Sequence, residues 1–231
     1  MLHILLLTMA SAASLRPSAT PAPAALATLH AQIPATSHAA LHAGLSAWSH
    51  AVASGAVRRA DVLTVIDYSR PSTEPRLFVL DVPSGRVSFV ERVAHGKGSG
   101  ENATERFSNT LGSRMTSLGV FLAADTYNGQ HGLSLRLDGL EPGFNDRARE
   151  RAIVIHGASY VNEAIIGAMG RLGRSWGCPA VRPEVAKKLI DAIKDGSLVV
   201  AFYPDANWLE RSAFLKGTAP AVRTSPAADP S

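Results

Sequence analysis

Cysteine is almost missing from this chain: 231 residues contain one, Cys178. A lone cysteine cannot close an intramolecular disulfide, and the multi-cysteine spacing of a structural zinc site is absent. There is no Lys/Arg block either. The formal charge is +4, and aromatics, 6% of the residues, do not alternate with basic ones. That balance describes a solvated basic surface, and no nucleic-acid partner is expected. The apolar run at residues 2–13 falls short of the roughly 20 residues a membrane-spanning helix needs. It ends in Ala10-Ser11-Ala12-Ala13 and reads as an export signal, although its start holds only His3 and no Lys or Arg. In an exported chain an odd cysteine is either an intermolecular partner or a free reactive thiol.

What is present suffices for one domain. Hydrophobic residues make up 46% of the chain, enough for a single core with flexible ends. Residues 14–25, rich in Ala, Pro and Ser, read as a linker. Residues 26–55 carry helical spacing (Leu41, Leu45, Trp48, Val52) and end at Gly55. His30, His38, His42 and His50 lie there without the Glu of a zinc-helix pattern, so they read as a neutral helical face. From residue 62 the period becomes that of strands: 62–68, 76–82, 86–94, 117–123, 134–140, 152–156 and 197–203. Asn128-Gly129 and His131-Gly132 are turn signals between two of them. Residues 184–195 form a helix with Pro183 at its start, and 217–231 have the composition of a tail. The expected fold is mainly β with a few helices, with hairpins that argue against a doubly wound parallel sheet. The domain is expected to span 56–205.

The chemistry concentrates around Cys178, in Gly173-Arg174-Ser175-Trp176-Gly177-Cys178-Pro179-Ala180-Val181. A cysteine nucleophile needs a base and donors for an oxyanion. His156 ends an apolar strand, followed by Gly157, which lets the chain turn away; if the loop 158–174 folds back, His156 meets Cys178. Gly177 permits an unusual backbone just before the nucleophile. Pro179 has no N–H, so the oxyanion donors belong to Cys178, Gly177, Trp176 or a distant segment. This excludes the elbow that uses the following N–H.

These residues resemble the L,D-transpeptidase (YkuD-like) cysteine enzymes, whose signature is a His, a loop, then Ser/Thr-His-Gly-Cys. Trp176 stands where the second histidine would be, and Ala180 where an arginine usually follows. The departures, with Ala94-His95-Gly96, Phe107-Ser108-Asn109, Ser117-Leu118-Gly119 and Gly132-Leu133-Ser134-Leu135, are similar to the murein L,D-transpeptidase catalytic domain family. The resemblance implies a β-sandwich or barrel domain in the periplasm that acts on peptidoglycan stem peptides, without metal or organic cofactor, as a monomer, and with carbapenems as inhibitors. It implies Cys178 as nucleophile and His156 as base, with Ser175 bonding the imidazole or holding the loop. Arg174 either grips a substrate carboxylate or braces the loop; Trp176 is a pocket wall or a core residue. His95 is either a substrate contact or a strand-end hydrogen-bonding group, and Tyr127 and Asn162 are further cleft candidates. The run Asp146-Arg147-Ala148-Arg149-Glu150-Arg151 reads as a solvated, self-paired turn.

Overall fold

A single eight-stranded mixed sheet organises the chain, because its central strands, Val62–Asp67 and Leu198–Phe202, are buried on both faces and need cover on each. The structure, a computed structural model, describes residues 20–218; the export-signal reading and most of the tail lie outside them. The strands are β1 (Val62–Asp67), β2 (Leu77–Asp81), β3 (Arg86–Glu91), β4 (Gly119–Gly129), β5 (Gly132–Gly139), β6 (Val154–Gly157), β7 (Ala180–Val181) and β8 (Leu198–Phe202). Their order is β3-β2-β1-β8-β4-β5-β6-β7. The chain just after β3 returns to the far edge, where Ala94 bridges Ala180, so the sheet is nearly closed into a barrel.

The helices are α1 (Pro23–Gln32), α2 (His38–Ala53), α3 (Glu163–Met169), α4 (Pro183–Ile193), α5 (Ala206–Arg211) and α6 (Ala213–Lys216). Alternation along β1 separates two cores. Leu63 and Val65 meet Leu41, Leu45 and Trp48 of α2. Val62 and Ile66 join the layer under α4, whose Ala186, Leu189, Ile190 and Ile193 recur at helical spacing. Three expectations change. Pro23 opens a helix rather than continuing a linker. The helices at 23–53 share the sheet's core instead of standing apart. The packed unit runs beyond 205, because Trp208 and Phe214 are buried in that same core.

One buried carboxylate fastens the C-terminal helices. Glu141 accepts from Val120 N at 2.8 Å, from Trp208 Nε1 at 2.7 Å and from the Ser212 hydroxyl. Burial raises its pKa, and the donors oppose that rise. Asn145 extends the anchor, donating to the carbonyls of Leu118 and Val120 and accepting from Glu141 N. Glu141→Ala strands three donors, so urea unfolding should show a loss of about 3 kcal/mol. Glu141→Gln, which keeps an acceptor for Trp208, should lose less than half of that.

Candidate active site

Two short parallel strands build the site. β6 and β7 pair with His156 opposite Ala180, a register that carries Cys178 alongside Val154. Cys178 and His156 line one cavity of about 480 Å³ with Ser175, Trp176, Arg174 and Tyr127. His156 is buried, and its Nδ1 lies 2.9 Å from the Gly157 carbonyl. That carbonyl can only accept, so Nδ1 carries the proton and Nε2 keeps its lone pair. No Asp or Glu orients the ring. Gly157 stays within the strand, and a Cβ there would sit 3.0 Å from Ala186 of α4. It permits close helix packing and does not turn the chain.

The nucleophile loop holds itself. Ser175 Oγ donates to the Cys178 carbonyl at 2.6 Å and accepts the Gly177 N–H at 3.0 Å. Ser175 therefore shapes the turn and does not bond the imidazole. The same bond occupies the Gly177 N–H, which removes it from the oxyanion donors. The Trp176 and Cys178 N–H groups have no acceptor among the described residues and are the donors that remain. Gly177 has φ 130°, and a Cβ there would approach Met115 O to 2.8 Å; only glycine fits.

The other candidate residues divide. Arg174 lines the cavity, but its guanidinium is spent on Gly100 O at 2.8 Å and Glu101 at 2.6 Å; this is the bracing geometry. Trp176 is 70% exposed, with the Arg114 guanidinium 4.8 Å from its ring centroid, so it is a wall and not a core residue. Tyr127 lies in the cleft under Arg136. Asn162 caps α3, accepting from Ile165 N, and lines a different cavity. His95 is wholly buried. Its Nδ1 faces Arg76 at 2.8 Å and its Nε2 faces Gly100 O at 3.3 Å, so neither nitrogen reaches a substrate. It acts through its backbone instead: the His95 carbonyl accepts the Ser175 N–H.

Sequence reasoning missed several cavity residues, among them three with ionisable side chains. His131 stacks on His156 with ring centroids 4.4 Å apart, where a turn signal had been the only reading. Tyr160 and Arg151 also line the cavity. Arg151 does not join the self-paired turn: Arg147 and Arg149 take the ion pairs and Arg151 points inward. The run holds three arginines and two acids, a surplus that could have flagged one unpaired cation.

Burial sets the charge state. It raises the Cys178 pKa, opposed by the Val154 N–H and by Arg151. It lowers that of His156, as does neighbouring His131, against the Gly157 bond. The resting pair is a neutral thiol and a neutral imidazole, ready for proton transfer on attack. His95 is depressed further, to about 4, by burial and then by Arg76. Because its folded pKa lies below the unfolded value, it stabilises the protein fully above about pH 6.5 and that contribution drains as pH falls towards 4. Unfolding free energies for His95→Gln should therefore vary less between neutral and acid pH than those of the parent protein, by about 2 kcal/mol.

The YkuD_2 L,D-transpeptidase catalytic domain matches residues 32–202, well over half of the chain. No curated protein sequence matches. The chain is similar to the L,D-transpeptidase from Xylanimonas cellulosilytica, at 18% identity over 59% of this chain and 58% of that one, with a TM-score of 0.35. It is similar to that from Mycobacterium smegmatis, at 17% identity over 62% and 59%, with a TM-score of 0.38. It is also similar to the helical cell shape determining protein Pgp2 from Campylobacter jejuni, at 18% over 61% and 48%, with a TM-score of 0.40. It spans less than two thirds of each of these. On the match over residues 32–202, the chain belongs to the L,D-transpeptidase catalytic domain family.

Proposed function

We propose that this protein is an exported peptidoglycan L,D-transpeptidase that works through Cys178. The observation that carries the reading is the His156 imidazole, fixed by the Gly157 carbonyl with Nε2 unengaged, in the same cavity as the only thiol. His156 takes the thiol proton as Sγ attacks the carbonyl of the third stem residue. The C–N bond to the terminal D-alanine then breaks, His156 returns the proton to the leaving amine, and a thioester remains. An amine from a second stem attacks that thioester and passes its proton to His156. The C–S bond breaks, and a 3→3 cross-link forms. The Trp176 and Cys178 N–H groups carry the oxyanion of both tetrahedral intermediates. A carbapenem would acylate the same sulfur.

Reduced protein incubated with a disaccharide-tetrapeptide should release D-alanine and form cross-linked dimer, both read by mass spectrometry. Cys178→Ala should abolish both, by at least about 1,000-fold, and keep its thermal midpoint. D-alanine release without dimer at high acceptor concentration would assign water as the acceptor. A folded, reduced protein that releases no D-alanine would sink the reading.

A further inference from the structure

A half-buried thiol opposite a neutral imidazole needs a fixed positive charge to receive the thiolate. Arg151 lies where such a charge is needed. Its side chain lines the cavity with Cys178, and its Nη2 would lie 3.5 Å from a Cβ on Gly177, the residue before the nucleophile. Four neutral oxygens hold it. Nη1 donates to the Ser108 carbonyl and the Ser117 hydroxyl. Nη2 donates to Ser113 Oγ at 3.1 Å and to the Met115 carbonyl at 2.6 Å. No carboxylate pairs with it among the described residues, so its charge is fixed in place and not neutralised. Purely structural arginines can look like this, but two further features point at the sulfur. Ala152, the next residue, is held at φ 53°, a left-handed conformation that costs a non-glycine residue about 1 kcal/mol. The carbonyl of that same Ala152 is 3.6 Å from Cys178 Sγ and accepts from the thiol.

We propose that Arg151 is an electrostatic positioning residue: from the turn ahead of β6 it supplies the fixed positive charge that stabilises the Cys178 thiolate. As His156 removes the proton, the thiol's bond to the Ala152 carbonyl is lost. The sulfur anion then has the Val154 N–H and the Arg151 charge to hold it. Other ionisable groups near the sulfur do not supply this charge. His156, on β6, is held neutral by its burial. Tyr160 and Tyr68 hold their protons, with burial pushing Tyr160 up to about 12 and Tyr68 higher still. Arg174, on the loop of Cys178 itself, is paired with Glu101.

The inference rests on Cys178 being the nucleophile, but its test needs no peptide substrate. The full protein has one cysteine, so intact mass after iodoacetamide treatment reads that thiol alone, between about pH 7 and about pH 11.5. Arg151→Gln should move the alkylation midpoint upward by about one unit and slow alkylation at neutral pH about tenfold. Arg151→Lys keeps the charge and gives up the four-bond fork, so its midpoint should stay near that of the parent. A folded Arg151→Gln with an unmoved midpoint overturns the proposal. So does an Arg151→Lys midpoint a full unit higher, which also decides the matter if the Gln variant does not fold. Failure of transpeptidation with these shifts present would count against the proposed function and leave the role of Arg151 standing.

Discussion

The parallel pairing of β6 with β7 is the constraint on which the rest depends. β7 is two residues long, too short to hold by itself. It is pinned from both sides: Ala94 exchanges hydrogen bonds with Ala180, and Ala158 N reaches Val181 O. Parallel neighbours cannot be joined by a hairpin and need a crossover of a dozen or more residues. That requirement explains why His156 and Cys178 are separated by a loop containing α3. The loop is the length needed to bring two strands alongside each other, and the strands then set the base beside the nucleophile. Gly96 and Ser175 form a further bridge, so the segment carrying the buried His95 and the loop carrying the thiol move as one piece.

The same burial that rigidifies the site works against its chemistry. A thiol with a raised pKa is little ionised at neutral pH, and an imidazole with a lowered pKa is a weak base. Together they resist the ion pair that some cysteine enzymes keep at rest. The compensation is local and mostly backbone-derived: one N–H for the sulfur, one carbonyl for the imidazole, free N–H groups for the oxyanion. Such groups are fixed by the fold and cost no reorganisation as charge develops. His131 adds a steric limit, because its stacked ring closes one face of the imidazole and leaves Nε2 to act in the plane.

Much of this was legible beforehand, for physical reasons. The strands over 62–68 and 197–203 and the helix after Pro183 were readable because apolar period and terminators coincide there. Pro179 narrowed the oxyanion donors by its missing N–H. The bond that removes Gly177 from them could not be read, since it depends on where Ser175 Oγ points. β7 was invisible because two residues carry no period. The helix at 163–169 buries no side chain fully, so it lacks the apolar stripe that announces a helix. His95 stayed open between two readings because a histidine at a strand end looks the same in sequence whether it faces a cleft or a buried arginine. Arg151 was hidden in a charge run in which Arg147 pairs locally and Arg149 reaches Asp125 and Asp138 on the neighbouring strands.

Ala180 shows why the cation had to come from elsewhere in the chain. Related sequences usually carry an arginine two residues after the nucleophile. Here that position is fully buried against Ala94, Ala158, Val161 and Leu172, and its backbone is paired on both edges, to Ala94 and to β6. A guanidinium there would be driven into an apolar cluster of small residues, at a cost of several kcal/mol unless it were fully bonded. No carboxylate belongs to that cluster to receive it. The small residue lets three strands close tightly around the loop, and tight closure excludes a charge from that edge of the sulfur. The positive charge enters from the turn ahead of β6, through Arg151, where the oxygens of residues 108–117 are already arranged to hold a guanidinium. The departure at Ala180 and the inward turn of Arg151 are thus two sides of one packing solution around the thiol.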